Sequence, residues 1–387
     1  MAARIKKEKL PEPLKVRLRS LYIENYKGID KLEIQFPGPK LSTDPHVTVI
    51  GSENGLGKTS ILECCALLLL SLSDRKDAND WWPVHDFMQY GDVFIDPIQL
   101  MVRAGARLAK IRGSFSLSGD EFTVSLTCGQ KGISLEGFPH PKQLWSIFEP
   151  SKRIDHREQR AIHILSLLGI IGEPMIFPPF LYFNSYRKIQ EGSPELGLML
   201  SGSSLHHYAR RRYGPGSYTP ISAFKIEIIR ALMGRQGLFE SVNEAEAESI
   251  VQELNALIAD YAHGTLSKLR ELEERGVELL VNPRNSESSY PFDGLSSGQK
   301  EIISTLFLIW KYTRKQSGIV LIDEPELHLN AEWHRGFIRR LSQIQPLNQY
   351  IVATHSEHVF DSVDERNRIL LQPTKNNTHG SKNRSSS

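Results

Sequence analysis

Leu321-Ile322-Asp323-Glu324-Pro325-Glu326-Leu327-His328 is an apolar run that ends in two acids. Such a run reads as a buried strand that delivers one carboxylate, Asp323, to a magnesium shell and sets a second, Glu324, beside it as a base. It completes a pattern begun far upstream at Asn54-Gly55-Leu56-Gly57-Lys58-Thr59. There Val47-Thr48-Val49-Ile50 predicts a short buried strand and Ile61 to Leu72 an apolar helix, with a glycine-rich turn between them. Strand, loop and helix in that order are the context a phosphate-binding loop requires. Gly55 and Gly57 let backbone amides turn toward phosphate oxygens, and the helix N-terminus adds partial positive charge. Lys58 would reach the β and γ phosphates, and Thr59 offers a hydroxyl to magnesium, a cation that prefers hard oxygen ligands. The pattern G-x-x-x-x-G-K-[ST] is not met in full: Ser52 stands at its first position and Gly51 is displaced by one.

Between these halves, Leu295-Ser296-Ser297-Gly298-Gln299-Lys300-Glu301 predicts a turn that opens a helix over Ile302 to Trp310. A helix opening of this kind is either an ordinary cap or a further anion site. Downstream, Tyr350-Ile351-Val352-Ala353-Thr354-His355-Ser356 predicts another buried strand, ending where His355 could face a γ-phosphate.

Together these stretches resemble the Walker A, signature, Walker B with D-loop, and histidine switch of ABC-type ATPases. Leu21-Tyr22-Ile23-Glu24-Asn25-Tyr26-Lys27-Gly28 is a fifth match. It resembles the first strand of RecF, SMC-like and OLD-family ATPases, in which an aromatic and a basic residue follow an asparagine. The resemblance implies an α/β fold: an ABC-type P-loop ATPase head of mixed sheet with an antiparallel flank and an inserted helical lobe. It implies ATP and Mg2+ as ligands. ATP would lie against Asn54, Gly55, Gly57, Lys58, Thr59, Ser60 and Lys27, with Ser296, Ser297, Gly298 and Gln299 supplied by a second copy. Thr59 and Asp323 would hold Mg2+, and Glu324 and His355 would act in catalysis. The partner implied first is therefore another copy of the chain, in a head-to-tail ATP sandwich.

Spacing narrows the resemblance. More than half of the chain lies between Walker A and signature, unlike a transporter cassette, and Ser222 to Leu280 lacks the sustained heptads of a long-armed SMC protein. The compact insertion and the Asp-Glu-Pro-Glu-Leu-His-Leu form are most similar to the RecF and OLD-like group. OLD nucleases continue into a metal-dependent TOPRIM domain, which the few residues after His355 would not accommodate. The expectation is an ATPase that works with a separately encoded effector, a nuclease, as in anti-phage systems such as Septu, PARIS and some retrons. The alternatives are a RecF-like DNA-repair clamp and a nucleotide-binding module without hydrolysis.

Composition fits a cytoplasmic enzyme. The 387 residues are 40% hydrophobic with a net charge of +2, enough for a substantial core and no global nucleic-acid signal. Cys64, Cys65 and Cys128 lack metal-binding spacing and read as reduced core residues. The apolar run near Cys64 to Leu72 is too short to span a bilayer, so no membrane partner is expected.

Along the chain we expect a disordered basic N-terminus over 1–15, a first ATPase lobe over 16–150, a helical insertion over 151–285, a second lobe over 286–373 and a disordered tail over 374–387. Val16 to Phe36 and Gln99 to Thr127 predict strands. Ile154 to Gly169 and Ile221 to Leu280 predict helices, the latter broken near Gly234 and Gly264. Two sites stay open. Phe180 to Phe183 is an apolar strand leading to Arg187, which reads either as a nucleotide neighbour or as a solvated strand end. His206-His207-Tyr208-Ala209-Arg210-Arg211-Arg212-Tyr213 is the densest basic-aromatic cluster, where Arg210, Arg211 and Arg212 would meet nucleic-acid phosphates, an acidic partner or only solvent.

Overall fold

In a computed structural model the described residues are 16–38, 46–52, 55–72, 82–83, 88–90, 93–130, 132–136, 163–164, 166–169, 174–187, 223–235, 243–272, 277–285, 288–327 and 329–372. Expectations for 1–15, Asn54, the Arg210–Arg212 cluster and 374–387 fall outside them.

The first half builds the flank and the phosphate-binding turn. It runs β1 (Val16–Tyr26), β2 (Ile29–Gln35), β3 (His46–Gly51), α1 (Lys58–Leu72), β4 (Trp82–Pro83), β5 (Met88–Tyr90), β6 (Val93–Ile95), α2 (Pro97–Met101), β7 (Leu108–Leu117), β8 (Asp120–Gly129), β9 (Gly132–Glu136), β10 (Met175–Phe177) and β11 (Phe180–Phe183). The second half runs α3 (Ala223–Gly234), α4 (Glu244–Ala262), β12 (Gly264–Glu271), β13 (Val277–Pro283), β14 (Tyr290–Pro291), α5 (Ser297–Thr313), β15 (Ile319–Asp323), α6 (Ala331–Ile344), β16 (Gln349–Thr354), α7 (Glu357–Phe360) and β17 (Arg368–Leu370).

Two six-stranded sheets result, ordered β2-β1-β7-β8-β9-β4 and β10-β11-β15-β16-β3-β17. The first is antiparallel, the flank expected from the alternating patterns of β1, β2, β7 and β8. In the second, β11, β15, β16, β3 and β17 run parallel, and only β10 runs against its neighbour. Apart from the edge strand β17, its strands bury both faces, so they read as unbroken apolar runs. Ile319, Leu321, Ile351 and Ala353 enter one core, shared with α1 and the antiparallel sheet. Val320, Ile322, Tyr350 and Val352 enter the other, shared with α3, α4, α5 and α6. Helix α1 is buried along its length between the sheets, which is why it lacks a polar face.

The helical reading of 264–280 is corrected. Residues 264–271 and 277–283 pair as the antiparallel strands β12 and β13. Leu266 and Leu269 are three apart, a helical spacing that would put them on opposite faces of a regular strand. A register shift between these two residues breaks the strand's alternation. Leu266 is buried and Leu269 packs against the same core. Gly264 allows the close approach, since a Cβ there would lie 2.7 Å from the Asn282 carbonyl oxygen. Helices α3 and α4 match the rest of the expected helical stretch. Of the helix expected over 154–169, His163, Ile164, Ser166 and Leu167 are helical, and 154–162, like Leu165, lies outside the described residues. Among the described residues no helix is long and apolar enough to cross a membrane.

One side chain ties the two sheets together. Gln349, fully buried at the start of β16, accepts from Leu18 N through Oε1 at 2.8 Å and donates to Leu18 O through Nε2 at 2.8 Å. It thus stands in for a strand at an irregularity in the β1–β7 pairing. Gln349→Leu would strip the partners from both backbone groups of buried Leu18, and each orphaned group costs about 1–3 kcal/mol. The variant should lose about 2–4 kcal/mol in urea unfolding; an unchanged midpoint would show that the tie is dispensable.

Candidate nucleotide-binding site

The parallel register decides which residues meet. Asp323 pairs with Ala353, Ala353 with Ile50, and Thr354 with Gly51, so the strand ends carrying the Asp-Glu pair, His355 and the glycine-rich turn open on one edge. This is the edge where ligands bind in open α/β sheets.

At the turn, Gly55 and Gly57 have φ of +82° and +89°, a region that only glycine enters freely. A Cβ at Gly57 would also meet Ile29 at 2.9 Å, so the β1–β2 hairpin packs directly on the loop. The displaced glycine has a separate reason: a Cβ at Gly51 would strike the Phe360 ring at 2.5 Å. Ser52, where the pattern has glycine, holds the lysine instead. Lys58 Nζ donates to Ser52 Oγ at 2.9 Å and to Ser52 O at 3.1 Å. Burial lowers the Lys58 pKa, against the opposing pull of the Glu324, Asp323 and Glu326 carboxylates.

Thr59 Oγ1 donates to Asp323 Oδ2 at 2.8 Å, which joins the ends of the two motifs. Asp323 is fully buried; beyond Thr59 its carboxylate has the Ser185 hydroxyl near it, and its Oδ1 makes no hydrogen bond of good geometry. Burial pushes its carboxyl up to about 6, with the Thr59 hydroxyl pulling the other way and Glu324 adding to the rise. A buried carboxylate oxygen without a well-formed hydrogen bond, beside threonine and serine hydroxyls, fits Mg2+, a hard cation satisfied by such oxygens.

Glu324 takes a left-handed backbone, φ +46°, unusual for a glutamate. Its N–H donates to Ala353 O at 2.8 Å. His355 sits between the two functional groups. Its Nδ1 lies 3.1 Å from Lys58 Nζ and its Nε2 lies 3.3 Å from Glu324 Oε1. An ammonium can only donate, so Nδ1 accepts and the ring proton resides on Nε2, facing Glu324.

Lys27 is tied to α1. Its Nζ is 2.6 Å from Glu63, one helical turn beyond Thr59, and the Tyr26 hydroxyl donates to the same carboxylate at 3.2 Å. Ser60 is buried in the first turn of α1. Ser296 and Ser297 are exposed at the start of α5 and Gly298 is buried. Ser296 caps the helix reciprocally with Gln299, whose Nε2 also donates to Tyr261 O at 3.0 Å. The side chain of Gln299 is thus committed within its own chain.

Two residues escaped the sequence reading. Glu326 Oε1 accepts from His355 N at 2.6 Å and Ser356 N at 3.0 Å, fixing the histidine's backbone. His334 Nε2 lies 3.1 Å from both Glu326 O and Leu329 O, so it donates, and its Nδ1 accepts from Ser356 Oγ at 3.3 Å. The Asp-Glu-Pro-Glu run carried a signal for Glu326, but nothing local pointed to His334. Arg187 is neither a solvated strand end nor aimed outward: it is buried beneath the Asp323–Glu324 turn.

Residues 241–361 match the AAA_21 family, described as "AAA domain, putative AbiEii toxin, Type IV TA system", and residues 20–167 match AAA_23, described as "AAA domain". The retron Ec83 probable ATPase of Escherichia coli is 23% identical, covering 92% of this chain and 72% of that protein. The retron Vc95 probable ATPase of Vibrio cholerae is 25% identical over 94% of this chain and 76% of that protein. The Septu protein PtuA of Bacillus mycoides is 22% identical over 88% of this chain but 38% of its own length. Both matched stretches are thus AAA-domain segments, and the two retron relatives are named probable ATPases. The two matches divide the site: Lys27, Lys58 and Thr59 fall in the AAA_23 match, and Ser296, Asp323, Glu324 and His355 in the AAA_21 match.

The raised carboxyl of Asp323 sets a pH signature. With a folded value near 6 and an unfolded one near 4, the folded chain keeps a proton that the unfolded chain releases. That contribution is complete below about pH 4 and lost as pH rises through about 6. Without magnesium, Asp323→Asn should therefore be more stable than wild type by on the order of 2–3 kcal/mol at pH 8. The gap should close toward pH 4 in parallel urea titrations; a gap that does not change with pH would refute the buried-carboxylate account.

Proposed function

We propose that the chain binds and hydrolyses ATP, closes head to tail on a second copy around the nucleotide, and through that closure controls a separately encoded effector of nuclease type in defence against phage. The observation that carries the catalytic part is the placement of His355 between Lys58 Nζ and Glu324 Oε1. A terminal phosphate bound there is reached by a cation, a neutral N–H donor and a carboxylate base from three strand ends.

Each residue then has a task. The turn at Gly55 and Gly57, with Lys58, binds the β and γ phosphates, and Asn54, Ser60 and Lys27 border them. Thr59 and Asp323 hold Mg2+, which when bound neutralises phosphate charge. Glu324 orients or deprotonates the attacking water, and His355 steadies the γ-phosphate. Ser296 and Ser297 of the second copy, exposed at the head of α5, close the site from outside together with the neighbouring Gly298. ATP then favours the closed pair by binding it more tightly than the open one.

The effector half of the proposal is supported by the retron and Septu relatives. Co-purification with the products of neighbouring genes tests it directly. DNA bound at ends or gaps in an ATP-dependent way, with no partner present, would favour a repair clamp instead.

Lys58→Ala should abolish nucleotide binding in titration with a fluorescent ATP analogue, because the charge that balances the phosphates is gone. Glu324→Gln should bind the same analogue as wild type while phosphate release falls by about 10²-fold or more. Tight binding to the lysine variant, or undiminished turnover by the glutamate variant, would remove the assigned roles.

A further inference from the structure

The Asp323–Glu324 turn rests on a buried cation contributed by neither motif. Arg187 follows β11, the strand beside β15. Its Nη1 donates to Asp323 O at 2.5 Å and Asn184 O at 2.9 Å, and its Nη2 donates to Glu324 O at 3.0 Å. The same Nη2 meets Glu301 Oε1 at 2.5 Å, a charge contact that is off the hydrogen-bond direction. Glu301 lies in the second turn of α5, the helix whose N-terminus is Ser296–Gly298. One guanidinium nitrogen is therefore shared between the carbonyl of the catalytic glutamate and the helix that carries the signature.

We infer that Arg187 is a positioning residue that couples the Asp323–Glu324 turn of each ATP site to the signature helix of the same chain. The inference rests on the sandwich reading given above, in which that helix completes the site of another copy. The physical reasons are local. The left-handed backbone of Glu324 costs free energy and needs an external hold. Arg187 supplies it from one side by gripping successive carbonyls, and Ala353 O from the other by accepting from Glu324 N. A planar fork can grip two carbonyls and a carboxylate at fixed angles, which a lysine ammonium cannot. Because Nη2 serves Glu324 O and Glu301 together, any shift of the turn when nucleotide and metal bind is handed to the first turns of α5. Burial of both side chains keeps water from substituting for either partner.

Arg187→Lys keeps a charge opposite Glu301 and loses the fork. It should lower kcat by about 10-fold or more and leave the affinity for a fluorescent ATP analogue near wild type. Glu301→Gln keeps the shape and the fork but loses the counter-charge, and guards against a misfolded arginine variant. It should leave affinity unchanged and uncouple the helix.

Hydrogen exchange read over residues 297–303, with and without magnesium and a non-hydrolysable ATP analogue, measures that coupling without requiring turnover. Wild type should gain protection there when the analogue binds; Glu301→Gln should bind the analogue and show no gain. The two substitutions should also be non-additive in kcat, since both disturb the one Nη2 junction between Glu324 O and Glu301. An equal gain of protection in Glu301→Gln, or no gain in a wild type that binds the analogue, overturns the coupling. A wild type that binds the analogue and shows the gain but releases no phosphate would instead refute hydrolysis and leave the coupling standing.

Discussion

The site depends on the parallel register of β15, β16 and β3. That pairing brings Asp323, Ala353 and Ile50 level, so three segments far apart in the chain end on one edge of one sheet. Every later feature follows from that alignment: the Thr59 to Asp323 bond, the histidine between lysine and glutamate, and the backbone bond from Glu324 to Ala353. A slip of one residue would turn Asp323 into the other face of the sheet and dismantle all three. The two hydrophobic cores, one on each face, are what prevent it.

Preorganisation has costs, and they fall at the site. A carboxylate is buried with one oxygen lacking a well-formed hydrogen bond, and a glutamate is held in a left-handed conformation. Stability is spent where a highly charged ligand would repay it. The surrounding hydrogen bonds then serve orientation. Glu326 fixes the backbone of His355, and His334 fixes the loop that carries Glu326. Arg187 steadies the turn from below.

Much of this was legible in sequence. Strands buried on both faces show as unbroken apolar runs, so β3, β15 and β16 and the residues at their ends could be placed from composition alone. The α1 helix announced itself by the same excess of apolar residues. What failed did so for physical reasons. The β12–β13 hairpin hid behind a shifted register that spaces Leu266 and Leu269 as a helix would. Ser52 looked like a defect in the phosphate loop, yet its hydroxyl holds Lys58, and Gly51 answers to the Phe360 ring instead. Arg187 stayed open because the Asp323 and Glu324 carbonyls that it holds lie more than 130 positions away. The Gln349 tie to Leu18 spans 331 positions and leaves no local pattern.

The central claim is that one copy's phosphate loop works with another copy's signature. Mixing chains with complementary lesions tests it most directly. Lys58→Ala removes the loop's charge, and Ser297→Arg blocks the signature of its own chain. Each alone should release phosphate only at background. Together they form mixed pairs in which one intact loop faces one intact signature, and phosphate release should return. A mixture that stays at background, while both chains remain folded and Ser297→Arg still binds ATP, would contradict the shared site.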